Sequence, residues 1–143
     1  MTLEEKIAMA NQVRSRDRFG PVSPEELAAL PGTETELWIE TANGCEIHVF
    51  EERPDTLPPK AALLLNFHGG GFIKGRTDRD RRYCCTLMER LNCLVWDVDY
   101  CLAPEKAFPA AVHESCGIEA GVCVTAQRIP EAMHGFTTNR MPG

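Results

Sequence analysis

A chain of 143 residues with 43% apolar and 25% charged residues has the size and composition of one globular domain, outside the disordered class. Its 15 basic and 21 acidic residues give a net charge of −6 with neutral histidines, which leaves no basic surplus to attract nucleic acid or an anionic membrane. No apolar run approaches the ~20 residues of a membrane span, and Glu4 and Glu5 stand where a secretory leader would begin with basic residues, so a cytoplasmic chain is expected.

In chain order, Leu3, Ile7, Ala10 and Val13 recur at helical spacing over residues 3–14, with Thr2 as cap and acids in the first turn. Gly20-Pro21 ends that stretch. Ser23-Pro24-Glu25-Glu26 restarts a short helix, which Pro31-Gly32 stops. From Thr35 the period changes to two. Leu37 and Ile39, then Cys45, Ile47 and Val49, alternate with polar residues around Asn43-Gly44, which predicts an antiparallel hairpin over 35–50. Residues 55–60 are a proline-rich connection. Residues 61–67 are almost continuously apolar, as in a strand covered on both faces. Residues 78–91 read as a helix with Tyr83, Leu87, Met88 and Leu91 on one side, and 93–98 as a second buried strand. Strand, helix, strand implies a parallel unit and an α/β domain. Beyond Tyr100 the spacing suggests a helix over 109–119, an alternating strand over 122–129 and a loop over 130–143.

The seven cysteines (45, 84, 85, 93, 101, 116 and 123) are odd in number, include the adjacent pair Cys84-Cys85 and form no Cys-x-x-Cys. Reduced thiols and no bound metal are expected. His113, Cys116, Cys123 and His134 match no standard zinc spacing.

Chemistry concentrates in Asn66-Phe67-His68-Gly69-Gly70-Gly71-Phe72, directly after the strand at 61–67. Three glycines allow positive φ and N–H groups turned toward a ligand, and such donors stabilise negative charge on a carbonyl oxygen during acyl transfer. No Gly-Lys-Ser/Thr and no helix-opening GxGxxG is present, which excludes the standard phosphate loops.

His-Gly-Gly-Gly after a strand is the oxyanion-hole motif of α/β-hydrolase lipases and esterases. With Asp97-Val98-Asp99-Tyr100-Cys101-Leu102-Ala103-Pro104-Glu105 and Phe108-Pro109-Ala110-Ala111, the chain resembles the hormone-sensitive-lipase-like (family IV) esterases from about residue 63 to 112. Cys101 departs from the basic residue usual there and weakens a local salt bridge. The resemblance implies an incomplete α/β-hydrolase sheet: an N-terminal hairpin and parallel strands flanked by helices. Residues 1–33 would be cap helices and 34–143 the partial core. It further implies oxyanion donors at Gly70 and Gly71, loop support from His68 and Gly69, a small ester as substrate and no cofactor. The tail, with Met133-His134-Gly135-Phe136, is similar to the family's catalytic-histidine loop and makes His134 the candidate base.

The mechanism needs a serine on a strand–turn–helix elbow. Of the three serines, Ser15 lies in the first helix, Ser23 is a cap, and Ser115 in His113-Glu114-Ser115-Cys116-Gly117 lacks a preceding strand. Ser115 is therefore a weak candidate nucleophile, with Glu114 or Glu131 as candidate orienting acids. The short distance from Phe108-Pro109-Ala110-Ala111 to His134 suggests an internal deletion near 113–118 that removes the nucleophile elbow and the catalytic aspartate. A sheet cut short leaves an open edge through which copies could associate. Two readings follow: an ester hydrolase by family with an incomplete triad, or a non-catalytic binding or interaction module of the same fold.

Overall fold

Thr2 and Ser23 each accept a hydrogen bond from the third helical N–H, and Glu5 and Glu26 reach back to the capping residue. These reciprocal capping boxes start α1 (Leu3–Arg14) and α2 (Pro24–Ala28) where the sequence places them. The computed structural model describes residues 1–17, 19–41 and 44–125, excepting the side chains of 119–125. Among these residues no helix is long and apolar enough to cross a membrane.

The expected hairpin forms from β1 (Thr33–Glu40) and β2 (Glu46–Arg53), antiparallel with Leu37 opposite Val49 and Ile39 opposite Ile47. Thr41 closes it: its N–H donates to the Cys45 carbonyl at 2.8 Å, and its hydroxyl bonds the Cys45 backbone. The next unit is β3 (Leu63–Phe67), α3 (Asp78–Leu91) and β4 (Leu94–Asp99), with β3 and β4 parallel and Leu65 opposite Trp96. The sheet order is β1-β2-β4-β3, and β2 pairs antiparallel with β4. This mixed four-stranded sheet with flanking helices is the front portion of the fold that the sequence implied.

Alternation divides the sheet into two faces. One buries Ile39, Ile47, Val49, Trp96 and Val98 under Ile118 of α4 (Ala110–Thr125); the other buries Val95 and Cys93 under Cys84 and Met88 of α3.

Three expectations change. Residues 122–125 are helical, so no strand starts at 122; residues 126–129 lie outside the described part. A four-residue alternation gives too little strand signal to stop a helix that is already propagating, and glycine at 117 and 121 costs only about 1 kcal/mol each. On α3 the buried stripe is Cys84, Cys85 and Met88, while Tyr83 and Leu91 are more than half exposed. The two small thiols allow α3 to lie close to the sheet, and that rotates the larger side chains outward. Finally β3 is not covered on both faces. It stands at the sheet edge with its leucines half-buried, and the continuously buried strand is β4.

A charged cluster fills the α3 side of the sheet beyond that apolar patch. Arg76 Nε donates to Asp97 at 2.6 Å, the Arg76 guanidinium also pairs with Glu34, and it lies 3.9 Å over the Phe50 ring. Glu52 is fully buried beside Arg76 at 3.6 Å and Arg81 at 3.7 Å, yet its Oε1 has no hydrogen-bond partner among the described residues. Burial first, and then the neighbouring Glu34 carboxylate, raise the Glu52 carboxyl to about 7. Between its ordinary value of 4.5 and that value the folded state holds more protons than the unfolded one. The contribution of Glu52 to stability therefore falls as pH rises through this window. Glu52→Gln mimics the protonated acid. It is expected to match the parent in acid-side denaturant titrations and to exceed it by about 1–3 kcal/mol at pH above the window.

Candidate functional site

Because β3 and β4 are parallel, the loops that leave their carboxyl ends meet at one end of the sheet, where open α/β folds bind ligands. The first of these loops begins with His68, whose side chain is fully buried. Its ring stacks on Tyr100 with centroids 4.4 Å apart, and the Tyr100 hydroxyl donates to the His68 carbonyl at 2.6 Å. His68 Nδ1 lies 2.9 Å from the Gly69 carbonyl and Nε2 lies 3.8 Å from Asp99 Oδ1. Asp99 in turn meets His48 Nδ1 at 3.2 Å. Only Nδ1 is within hydrogen-bond reach of an acceptor; Nε2 is buried with no hydrogen-bond partner among the described residues, and stacking on Tyr100 holds the ring in place.

The glycines then turn sharply. Gly70 has φ +136° and Gly71 φ +63°, and the Gly70 carbonyl accepts from the N–H of Ile73 at 3.2 Å and of Lys74 at 3.1 Å. A Cβ on Gly70 would sit 2.5 Å from the Lys74 carbonyl oxygen, whereas one on Gly69 or Gly71 would meet open space. Phe72 also adopts positive φ, +61°. A bulky residue holds that conformation only when its surroundings impose it. Here its carbonyl accepts the Ala103 N–H at 2.8 Å and its ring packs against Tyr100 edge-on, 5.9 Å between centroids. Gly69, Gly70 and Gly71 are exposed, and the N–H groups of Gly70 and Gly71 donate to no backbone carbonyl among the described residues. Such donors can hold a developing oxyanion.

Arg14, the last residue of α1, clamps both loops. Its Nε donates to the Ile73 carbonyl at 2.9 Å, one terminal nitrogen donates to the Ala103 carbonyl at 3.1 Å, and two bonds of 2.7 and 2.8 Å grip the Glu105 carboxylate. The hydrogen bond from Arg14 is the main reason that the Glu105 carboxyl falls to about 2. Thus the cation facing Glu105 comes from α1, while position 101 is a thiol. A groove of about 450 Å³ runs along α1, lined by Met9, Val13, Ile73, Ala103 and Pro104. A smaller hollow of about 90 Å³ lies between Phe72 and Phe108, floored by Ala111 and Val112.

The sequence-derived residues His68, Gly69, Gly70 and Gly71 lie together in this loop. Ser115 lies within α4, where its hydroxyl donates to the Ala111 carbonyl at 2.7 Å in the manner of a helical serine. Glu114 accepts the Cys101 N–H at 2.7 Å; burial first, and then this carboxylate, raise the Cys101 thiol to about 11. His134 and Glu131 lie outside the described residues. Sequence reading gave no role to Arg14, Asp99 or Tyr100. Asp99 and Tyr100 stood within the quoted motif, but Arg14 is 91 positions from Glu105 and carries no local signal.

Comparison with known proteins agrees with this fold. A family model for the alpha/beta hydrolase fold matches residues 64–118. The chain is 31% identical over 106 residues to an AB hydrolase superfamily protein of Schizosaccharomyces pombe, which takes in 73% of this chain and 29% of that one. To human hormone-sensitive lipase it is 36% identical over 62 residues, 43% of this chain and 6% of the lipase. These matches make the chain similar to the hormone-sensitive-lipase-like α/β hydrolases. The solved esterase LipW from Mycobacterium marinum superposes with a TM-score of 0.62 at 28% identity, covering 88% of this chain and 37% of that one. The chain spans 29% or less of the length of these curated relatives.

Substitutions separate the loop's glycines. Gly70→Ala is expected to cost about 1–3 kcal/mol in urea unfolding, because φ and the Lys74 carbonyl both exclude a side chain. Gly71→Ala should cost about 1 kcal/mol for its φ alone, and Gly69→Ala nearly nothing. For the clamp, Arg14→Ala should speed amide exchange throughout α1 without altering β4. Glu105 is depressed, so in the parent the clamp's contribution is complete above its ordinary 4.5 and is lost as pH falls toward 2. Exchange in α1 followed against pH checks that direction.

Proposed function

We propose that this chain carries the oxyanion-stabilising front of a carboxylic ester hydrolase site. The observation behind this reading is the pair of exposed, undonated N–H groups of Gly70 and Gly71, on a loop braced by His68 and Tyr100 at the carboxyl ends of parallel strands. In ester hydrolysis a serine hydroxyl attacks the acyl carbon while a histidine takes its proton, and the carbonyl oxygen becomes an oxyanion. Gly70 and Gly71 would hold that oxygen, and His68 and Gly69 would support them. Residues 1–33 would cap the acyl pocket, with the groove along α1 as its wall. His134 is the base that the family resemblance proposes.

The nucleophile is the weak point of the sequence as it stands. The Ser115 hydroxyl is engaged within its own helix, and no strand leads into it. The oxyanion hole of this fold also draws one N–H from the residue after the nucleophile, and each missing donor costs about 10²–10³ in rate. The favoured form of the proposal is therefore an ester-binding site by descent with negligible turnover in this sequence. The non-catalytic reading gains support from the same Ser115 bond.

Two measurements test these statements. The 143-residue chain should hydrolyse p-nitrophenyl butyrate no faster than buffer and resist fluorophosphonate; labelling that maps to Ser115 and disappears in Ser115→Ala would establish an active elbow instead. Butyrate should shift the amide resonances of Gly70 and Gly71. Unmoved resonances at saturating butyrate would remove the oxyanion reading.

A further inference from the structure

The two edges of the sheet are unlike in charge. β1, at one edge, carries three glutamates within Thr33–Glu40, the usual means by which an edge strand repels a copy of itself. β3, at the other, is Leu63-Leu64-Leu65-Asn66-Phe67, with no charged residue and no proline. Its three leucines are half-buried, and Phe67 is 41% exposed. Asn66 is not free to guard the edge, since its amide is bound to Asp97 at 2.7 Å.

Backbone direction sharpens the contrast. The Leu94 N–H donates to the Ala62 carbonyl at 2.9 Å. Ladder alternation then turns the backbone groups of Ala62, Leu64 and Asn66 toward β4 and those of Leu63, Leu65 and Phe67 outward. No strand among the described residues pairs with that outer side.

We infer that β3 is a dimerisation edge on which a second copy of this chain pairs antiparallel about Leu65, joining two four-stranded sheets into one of eight. A two-fold axis at Leu65 sets Leu65 opposite its own copy and Leu63 opposite Phe67, and these are the residues whose N–H and carbonyl groups point outward. The three pairs exchange backbone hydrogen bonds and lay one apolar stripe across the junction on the sheet face that α4 covers elsewhere. The absence of charge is what admits a second copy: like meets like without repulsion at β3, whereas at β1 glutamates would face glutamates. A pair of five-residue strands is a small interface, so the dimer is expected to be micromolar rather than nanomolar.

The test is sedimentation velocity on the full chain across roughly a hundredfold concentration range around micromolar, with amide exchange at both ends of the range. The expected result is a monomer–dimer equilibrium in which the Leu63, Leu65 and Phe67 amides become protected as concentration rises, while Leu64 and Asn66 do not change. Leu65→Lys places like charges directly opposite each other and should weaken the dimer about tenfold or more. Leu65→Pro removes an outward donor and leaves the β4 ladder intact, with the same expected effect. A monomer at the highest concentration would overturn the inference, whether the edge is bare or covered by the chain's own residues 126–143. So would a dimer without protection at those three amides, or a folded Leu65→Lys that dimerises as the parent does. Exchange on the parent chain needs no variant, so misfolding of a substitution leaves the inference open to refutation.

Discussion

The fully buried carboxylate of Asp97 and its partner Arg76 form the ion pair on which the sheet depends. Lying mid-strand in β4, Asp97 accepts from Asn66 of β3 at 2.7 Å and from Arg76 at 2.6 Å, and Arg76 continues to Glu34 of β1 and the Phe50 ring of β2. All four strands thus converge on one ion pair. Burial raises the Asp97 carboxyl despite the lowering effect of Asn66 and Arg76, a sign that the desolvation of this charge outweighs its two partners. Removing one member of such a buried pair typically costs about 3–5 kcal/mol, because the other remains charged and dry. The pair also sets register. Asn66 and Asp97 stand directly opposite in the β3–β4 ladder, and a slip of one residue would turn both to the wrong face.

Register at β3–β4 decides what happens at the strand ends. His68 follows β3 and Tyr100 follows β4, so a correct ladder puts the two rings face to face and the tyrosine hydroxyl on the His68 carbonyl. Everything downstream in the glycine loop hangs from this contact. Phe72 is held at positive φ from the Tyr100 side, and the loop's far end is held from the α1 side by Arg14. A loop of three glycines would ordinarily be the most mobile part of a domain. Anchors on both flanks restrain it, while the N–H groups of Gly70 and Gly71 donate to no backbone carbonyl among the described residues.

The helices share the remaining surface unequally. α4 reaches from the Phe72 hollow to β1, covering β1, β2 and β4, and α3 covers the other face near Val95. β3 lies at the margin of both. Its composition is that of an interior strand and its position is that of an edge strand, so local sequence and tertiary setting disagree there.

Sequence alone determined the local parts, because their physics is local. Capping residues at Thr2 and Ser23, the period change at Thr35 and the glycines after Phe67 each act within a few residues. The two N-terminal helices, the hairpin, the βαβ unit and the site of the glycine loop were accordingly legible, and the joint motifs led to the family. Three matters were decided only by the tertiary structure. Whether residues 61–67 are covered depends on where the helices cross the sheet. Whether Cys84 or Tyr83 faces inward depends on how closely α3 can approach. Whether Arg14 reaches Glu105 depends on a fold that brings positions 91 residues apart within 2.7 Å. Side-chain pattern reports whether a segment is apolar; it does not report which other segment arrives to bury it, and burial in this chain is settled by those long-range arrivals.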